Sequence, residues 1–202
     1  MNQTFLKLDN LSLKFQGNRV GIGSIDFGNI LITNMGPHYL PLGDLSRFGI
    51  VNENSDSDDI QILDNSIEGV TKLISSNDEY ASGATWMCFK AERKDQDTIL
   101  TAKFENFEGE APFAFVFFVK AEEVRHLDKK YKKGGLQNFS GASSFVDIVS
   151  GKKKVSIAPD FKTSMQIIPL GGDESYFGSD FIIAFEILNP KNPNVFVLKS
   201  SG

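Results

Sequence analysis

A chain of 202 residues is ordinarily one domain or two small ones, and it can bury roughly 70% of its unfolded surface without disulfide or metal staples. Its 41% hydrophobic and 23% charged residues suit a globular chain, and a net charge of −5 argues against a general nucleic-acid binder. One cysteine, Cys88, excludes an intramolecular disulfide, and His38 and His126 stand too far from it and from each other in sequence to spell a zinc motif.

In chain order the elements are mostly strands. Met1 to Asp9 shows no basic stretch followed by an apolar one, so no signal peptide is expected. The longest apolar runs fall far short of the ~20 residues of a transmembrane helix. Residence in the cytoplasm, or export without a classical signal, follows as the expectation. Leu11, Leu13 and Phe15 alternate with Ser12 and Lys14, the period of a half-buried strand. Val20–Phe27 and Ile30–Thr33 follow, punctuated by Gly21, Gly23 and Gly28. Met35–Asp44 holds two prolines and reads as a rigid loop in which His38 and Tyr39 are candidates for ligand contact; a plain packing loop is the commoner meaning of such a stretch.

Asn52–Asp59 is an acidic loop that closes a candidate N-terminal subregion, residues 1–51. Within it Asn52, Asn54, Asp56 and Asp58 place oxygen donors at every second position, as calcium requires. The Gly and Glu of an EF-hand loop are missing, so calcium is the alternative to a plain acidic loop, and no other cofactor is expected. Ile60, Leu63, Ile67, Val70 and Ile74 fit a helix over 59–75. Two strands, Ile60–Leu63 and Gly69–Ile74, joined through Asp64-Asn65, fit almost as well; the helix is preferred by a small margin.

Strands are expected again at Ala84–Ala91, Thr98–Phe104 and Pro112–Val119. The last contains Phe113-Ala-Phe-Val-Phe-Phe118. A period of two puts Phe113, Phe115, Phe117 and Val119 on one face and Ala114, Val116 and Phe118 on the other, as in a central strand covered on both sides. Next, Ala121, Val124, Leu127 and Tyr131 recur at helical spacing, with Glu122 and Glu123 in the first turn and Lys129, Lys130, Lys132 and Lys133 in the last. That polarity suits a helix dipole, and Gly134-Gly135 suits its stop, so a helix is predicted over 121–133 as the cover on the second face. Ser144–Val149, Lys154–Ala158, Ser164–Ile168, Asp180–Leu188 and Asn194–Leu198 complete the strands. The expected fold is mainly β: one β-rich domain, 1–202, built as an antiparallel, jelly-roll-like two-sheet sandwich.

Catalytic patterns are scarce. No G-x-S-x-G elbow and no phosphate-binding glycine loop occur. Asp26, Asp147 and Glu186 interrupt apolar strands; Asp147 with Glu186 is the one pair a glycoside hydrolase could use, though an ion-paired or edge role is commoner. Between Lys120 and Lys154 there are nine Lys or Arg against four Asp or Glu, a local +5 that leaves −10 on the remainder. Lys129, Lys130, Lys132, Lys133, Lys152, Lys153 and Lys154 make a candidate patch for glycan or anionic lipid; a solvated surface is the simpler meaning. The sequence therefore points away from an enzyme. It points to a non-catalytic sandwich acting by protein–protein contact, as a subunit or adaptor, with a protein partner or a second copy of itself. The alternative is a lectin-like or membrane-directed binding protein, such as a toxin component.

Overall fold

The computed structural model describes residues 3–8, 11–16, 19–39, 60–73, 85–105, 113–171 and 178–202. The first four strands, β1 (Gln3–Leu8), β2 (Leu11–Gln16), β3 (Arg19–Asp26) and β4 (Leu31–Tyr39), form a meander. A second meander holds β5 (Ile60–Ile62), β6 (Ser66–Leu73), β7 (Thr85–Lys94) and β8 (Asp97–Glu105). Then come β9 (Phe113–Lys120), β10 (Glu123–His126), β11 (Lys129–Lys132), β12 (Phe139–Ser143) and β13 (Val146–Ser150). β14 (Lys153–Pro159), β15 (Thr163–Pro169), β16 (Phe181–Ile187) and β17 (Asn194–Ser201) follow. They assemble into a sheet ordered β1-β2-β3-β4-β9-β16-β15-β12 and a second ordered β11-β10-β13-β14-β17-β8-β7-β6-β5. The pairings are antiparallel, and the chain passes repeatedly from one sheet to the other. The architecture is the expected antiparallel β-sandwich.

The interior follows from the period of two. In the first sheet Phe115 lies opposite Phe185, and Phe117 lies opposite Ile183 and Met35. These side chains point at the second sheet, which returns Phe104, Ile148, Val155, Ile157, Phe196 and Leu198, all fully buried. The Phe196 ring stands 5.0 Å from Phe115, 5.3 Å from Phe117 and 5.6 Å from Phe185, in tilted and edge-on arrangements. Such geometries add to plain apolar burial because the positive ring edge meets a negative ring face. The other face of β9 and β16 holds a smaller buried cluster of Ala114, Val116, Phe118, Ile182, Ala184 and Leu170.

The helix expected over 121–133 does not form. Residues 123–132 are a hairpin in the second sheet, with Val124 opposite both Tyr131 and Ile148. Val124 points inward from β10 and Tyr131 from β11 because the turn sets them opposite each other, and pairing to β13 decides for the hairpin. Leu127, which the helix would bury, is instead 73% exposed at the turn. The buried cover on the second face of β9 is therefore not this segment. Nor is there a helix in the described part of 59–75: β5 and β6 pair around Leu63-Asp64-Asn65, with Ile67 pointing inward opposite Ala91. Pairing of β6 with β7 along its length, with Gly69 opposite Phe89, decides for strands. Asp26 has a local role: its Oδ1 accepts the Gly28 N–H at 2.7 Å in the β3–β4 turn, where Gly28 has a φ of 83°.

Phe115→Ala should cost about 3–5 kcal/mol in equilibrium urea unfolding, as for a buried Phe. A loss below about 1 kcal/mol would show that β9 is not central.

Candidate functional site

Where one side of the sandwich ends, β11 and β12 are the outermost strands of their respective sheets. The two are close: β11 lies against β15, and the Phe139 ring of β12 is 6.5 Å from Tyr131 and 4.5 Å from His126. One end of this side is tied shut. Lys133 Nζ reaches Asp180 Oδ1 at 2.5 Å, and the other carboxylate oxygen accepts the Ala121 N–H at 3.2 Å. The Gly134 N–H donates to the Leu170 carbonyl at 2.9 Å, and a Cβ on Gly171 would lie only 3.1 Å from Gly134 Cα. Gly134-Gly135 is thus a tight turn in close approach to β15, not a helix stop; Gly134 has a φ of 69°.

The opposite end carries exposed apolar residues. Leu127 occupies the β10–β11 turn with a φ of 53°, a conformation costly for a branched side chain. Phe145, 39% exposed, lies on the neighbouring loop between β12 and β13. Buried His126 joins the two: its Nδ1 donates to the Phe145 carbonyl at 3.0 Å, while its Nε2 has no hydrogen-bond partner. Ser143 Oγ donates to the same carbonyl at 2.9 Å. Leu136, between β11 and β12, is fully exposed.

The lysines do not gather into one basic site. Lys132, Glu123, Val149 and Lys154 lie in one row across β11, β10, β13 and β14. Three strand steps of ~4.8 Å put Lys132 and Lys154 about 14 Å apart. Glu123 pairs with Arg125, and Asp147 holds Lys154 at 3.5 Å. Lys133 belongs to Asp180, Lys152 lies in the β13–β14 turn, and Lys153 is half-buried in β14. Lys129, Lys130 and Lys132 remain exposed along β11. Lysines on an outermost strand keep other strands from pairing with it, a structural reason for them that does not involve a helix end.

The outer face of the second sheet also holds a cleft of about 490 Å3, lined by Gln61, Glu68, Val70, Cys88, Lys90 and Lys103 among others. Its charges are mutually satisfied: Lys90 binds Glu68 at 3.0 Å and Glu92 at 3.3 Å, and Lys103 binds Glu105 at 3.0 Å. Both glutamates hold the Lys90 ammonium above the usual lysine range. Cys88 faces outward between Val70 and Lys103, while Met87 and Phe89 point in. Burial and the Glu105 carboxylate push its thiol up, against the pull of Lys103.

The carboxylate pair does not assemble. Asp147 faces out from the second sheet and accepts a hydrogen bond from Ser156 Oγ at 2.5 Å. Glu186, opposite Ala114, faces out from the first sheet. The two sit on opposite outer surfaces of a sandwich whose sheets alone are ~10 Å apart, beyond the reach of one glycosidic bond. His38 and Tyr39 are not in a loop: they end β4, paired to Ala114 and Phe113. Asn52, Asn54, Asp56 and Asp58 lie outside the described residues. Among the described residues no group of three His, Cys, Asp or Glu could hold a metal ion, and no helix is long and apolar enough to cross a membrane.

Sequence reasoning missed the Leu127–Phe145 end and the pairing of edges beside it. Leu127-Asp128 carries no Asn-Gly or Asp-Gly signal, so nothing marked the hairpin. No protein-family model matches the chain, and no relative is found among curated proteins. Among solved structures it is similar to a 4-alpha-glucanotransferase from Thermococcus litoralis, with a TM-score of 0.61 at 9% identity. The match covers 98% of this chain and 39% of that one, so this chain spans well under half of the enzyme's length. At that identity the likeness is one of fold.

Glu105→Gln should lower the Cys88 pKa and speed alkylation by iodoacetamide at about pH 8, because the thiolate is the reacting species. An unchanged or slower rate would contradict the electrostatic account.

Proposed function

We propose that the chain is a non-catalytic β-sandwich module that works by contact with another protein, through the side where β11 and β12 lie. The observation behind this is the exposure of Leu127, Leu136 and Phe145 on the loops around those strands, next to Lys129, Lys130 and Lys132. Large apolar side chains within a charged rim are what a docking surface offers, since their burial drives association and the rim sets the partner. A strained Leu127 held out at a turn fits the same purpose, because strain persists where function requires it. A photo-crosslinking residue at Leu136, placed in the full chain in its cell of origin, should capture a discrete partner. The same probe at Lys90 should not; capture at Lys90 alone, or at neither position, would sink the proposal.

A second reading is a lectin-like module for α-glucan. The cleft around Gln61, Glu68, Lys90 and Lys103 has the size of a small-ligand site, and the structural neighbour is by its title a 4-alpha-glucanotransferase. Against it stand the ion pairs that already occupy Lys90 and Lys103. Anionic lipid has less support, because Glu123 and Asp147 divide the basic residues. Retardation in native gels containing soluble starch, relieved by Lys90→Ala, would favour the glycan reading; unchanged mobility would remove it.

A further inference from the structure

We infer that the cavity where the β3–β4 turn meets the second sheet is a binding site for a small organic anion, held through its carboxylate or phosphate oxygens by Lys153 and Arg93. It lies on other strands than the contact surface proposed above and stands independently of it.

The inward face of the second sheet is apolar over its centre. Met87, Phe89 and Ala91 point in from β7, Phe196 and Leu198 from β17, and Val155 and Ile157 from β14. The period of two carries these rows on to Arg93, Ser200 and Lys153. Their registers agree: Arg93 lies opposite fully buried Thr98, Ser200 opposite Val155, and Lys153 opposite buried Ser150. Inward charges can guard a sheet edge, but β7, β8, β17 and β14 are all interior strands, so that purpose does not account for Arg93 and Lys153.

The register also opens a notch for them. β7 and β8 end at the pair Lys94 and Asp97, and Asp97 lies opposite Lys199 of β17. β17 and β14 run further, to Ser200 and Lys153. The β3–β4 turn faces this notch from the first sheet, with Phe27 as a buried apolar wall. The cavity so formed measures about 460 Å3, the size of a small-ligand site.

Charge and donors select the occupant. Arg93 Nη1 donates to Thr98 Oγ1 at 2.9 Å and to the Gln96 carbonyl at 3.3 Å, which fixes the guanidinium at the cavity wall. A planar fork held in place matches the oxygens of a carboxylate or phosphate. Lys153 brings an ammonium from the far side of the notch, and Ser200 and Gln96 add a hydroxyl and an amide. Asp26 also lines the cavity, and its Oδ1 is engaged by the Gly28 N–H at 2.7 Å. With Asp26 counted, the charges of the described lining residues still sum to +1. A neutral sugar would take water from both cations and return no counter-charge. An anion with a short carbon skeleton meets the lining better, with its oxygens at Lys153 and Arg93 and its carbons against Phe27.

The test is a titration of the isotope-labelled full chain with sodium succinate and, separately, sodium phosphate, read by amide NMR shifts at constant ionic strength. The two arms distinguish a carboxylate from a phosphate ligand. At least one anion should give saturable shifts at Gly28, Gln96, Lys153 and Ser200 and leave Leu127, Leu136 and Phe145 unmoved. Lys153→Met should keep the melting temperature and weaken that binding about tenfold, as for loss of a charged hydrogen bond. Gln96→Glu, at an exposed turn position, brings the lining to zero net charge and should weaken it several-fold. No saturable shift with either anion, shifts centred on Lys129–Lys132, or parental affinity in both variants would overturn the inference.

Discussion

The Phe196 ring of β17 enters the face of the first sheet among Phe115, Phe117 and Phe185, and so ties the two sheets together. Each of these side chains is almost completely buried, and burial of a Phe stabilises by roughly 1.5–3 kcal/mol before any ring–ring term. Edge-on and tilted contacts add about 0.5–1.5 kcal/mol per pair. Phe161 stacks edge-on against the same Phe196 from the β14–β15 connection. Because β9 and β16 sit in the middle of one sheet and β17 and β8 in the middle of the other, this cluster fixes how the sheets face each other. The outermost strands take their positions from it at a distance, and freedom to differ in chemistry is concentrated there.

That gradient separates architecture from function. The centre is apolar on both faces of β9, so it has no room for a polar site. The outer face of the second sheet is a lattice of opposite charges, Glu68–Lys90–Glu92, Lys103–Glu105, Asp147–Lys154 and Asp97–Lys199, each satisfied by a neighbour on the sheet. Exposed pairs of this sort contribute little to stability, and their effect is to keep a broad sheet face solvated. Where β11 and β12 end the sheets, exposed Leu127, Leu136 and Phe145 stand beside exposed Lys129, Lys130 and Lys132. The Lys133–Asp180 pair closes one end of this side, which leaves the Leu127 and Phe145 end as its open mouth.

The central strands were legible from their length and composition. Phe113–Val119 and Asp180–Leu188 are short runs rich in β-branched and aromatic residues, as in strands covered on both faces, and they became β9 and β16. The β10–β11 hairpin was not legible. Ala121, Val124 and Tyr131 fit a helical spacing, the lysines mimic a helix end, and the Leu127-Asp128 turn lacks the glycine or asparagine that announces a hairpin. Only pairing with β13, remote in sequence, resolves the ambiguity. The candidate site was illegible for a related reason. An edge is a property of sheet order, and nothing in Phe139–Ser143 shows which side of the strand will stand open. The charge excess of residues 120–154 falls on β10, β11, β14 and their turns, and its chemistry depends on Glu123, Asp147 and Asp180, which divide it.

Native-state amide hydrogen exchange in low denaturant tests the central claim most directly, because it reports the opening energy of each sheet separately. If the Phe196 cluster holds the sheets as one unit, amides of Phe115–Phe118 in β9 and Val195–Leu198 in β17 should exchange with one shared opening free energy, equal to that of global unfolding. Exchange of the β17 amides through a distinctly lower-energy opening, with β9 still protected, would show that the sheets are held independently and contradict the account.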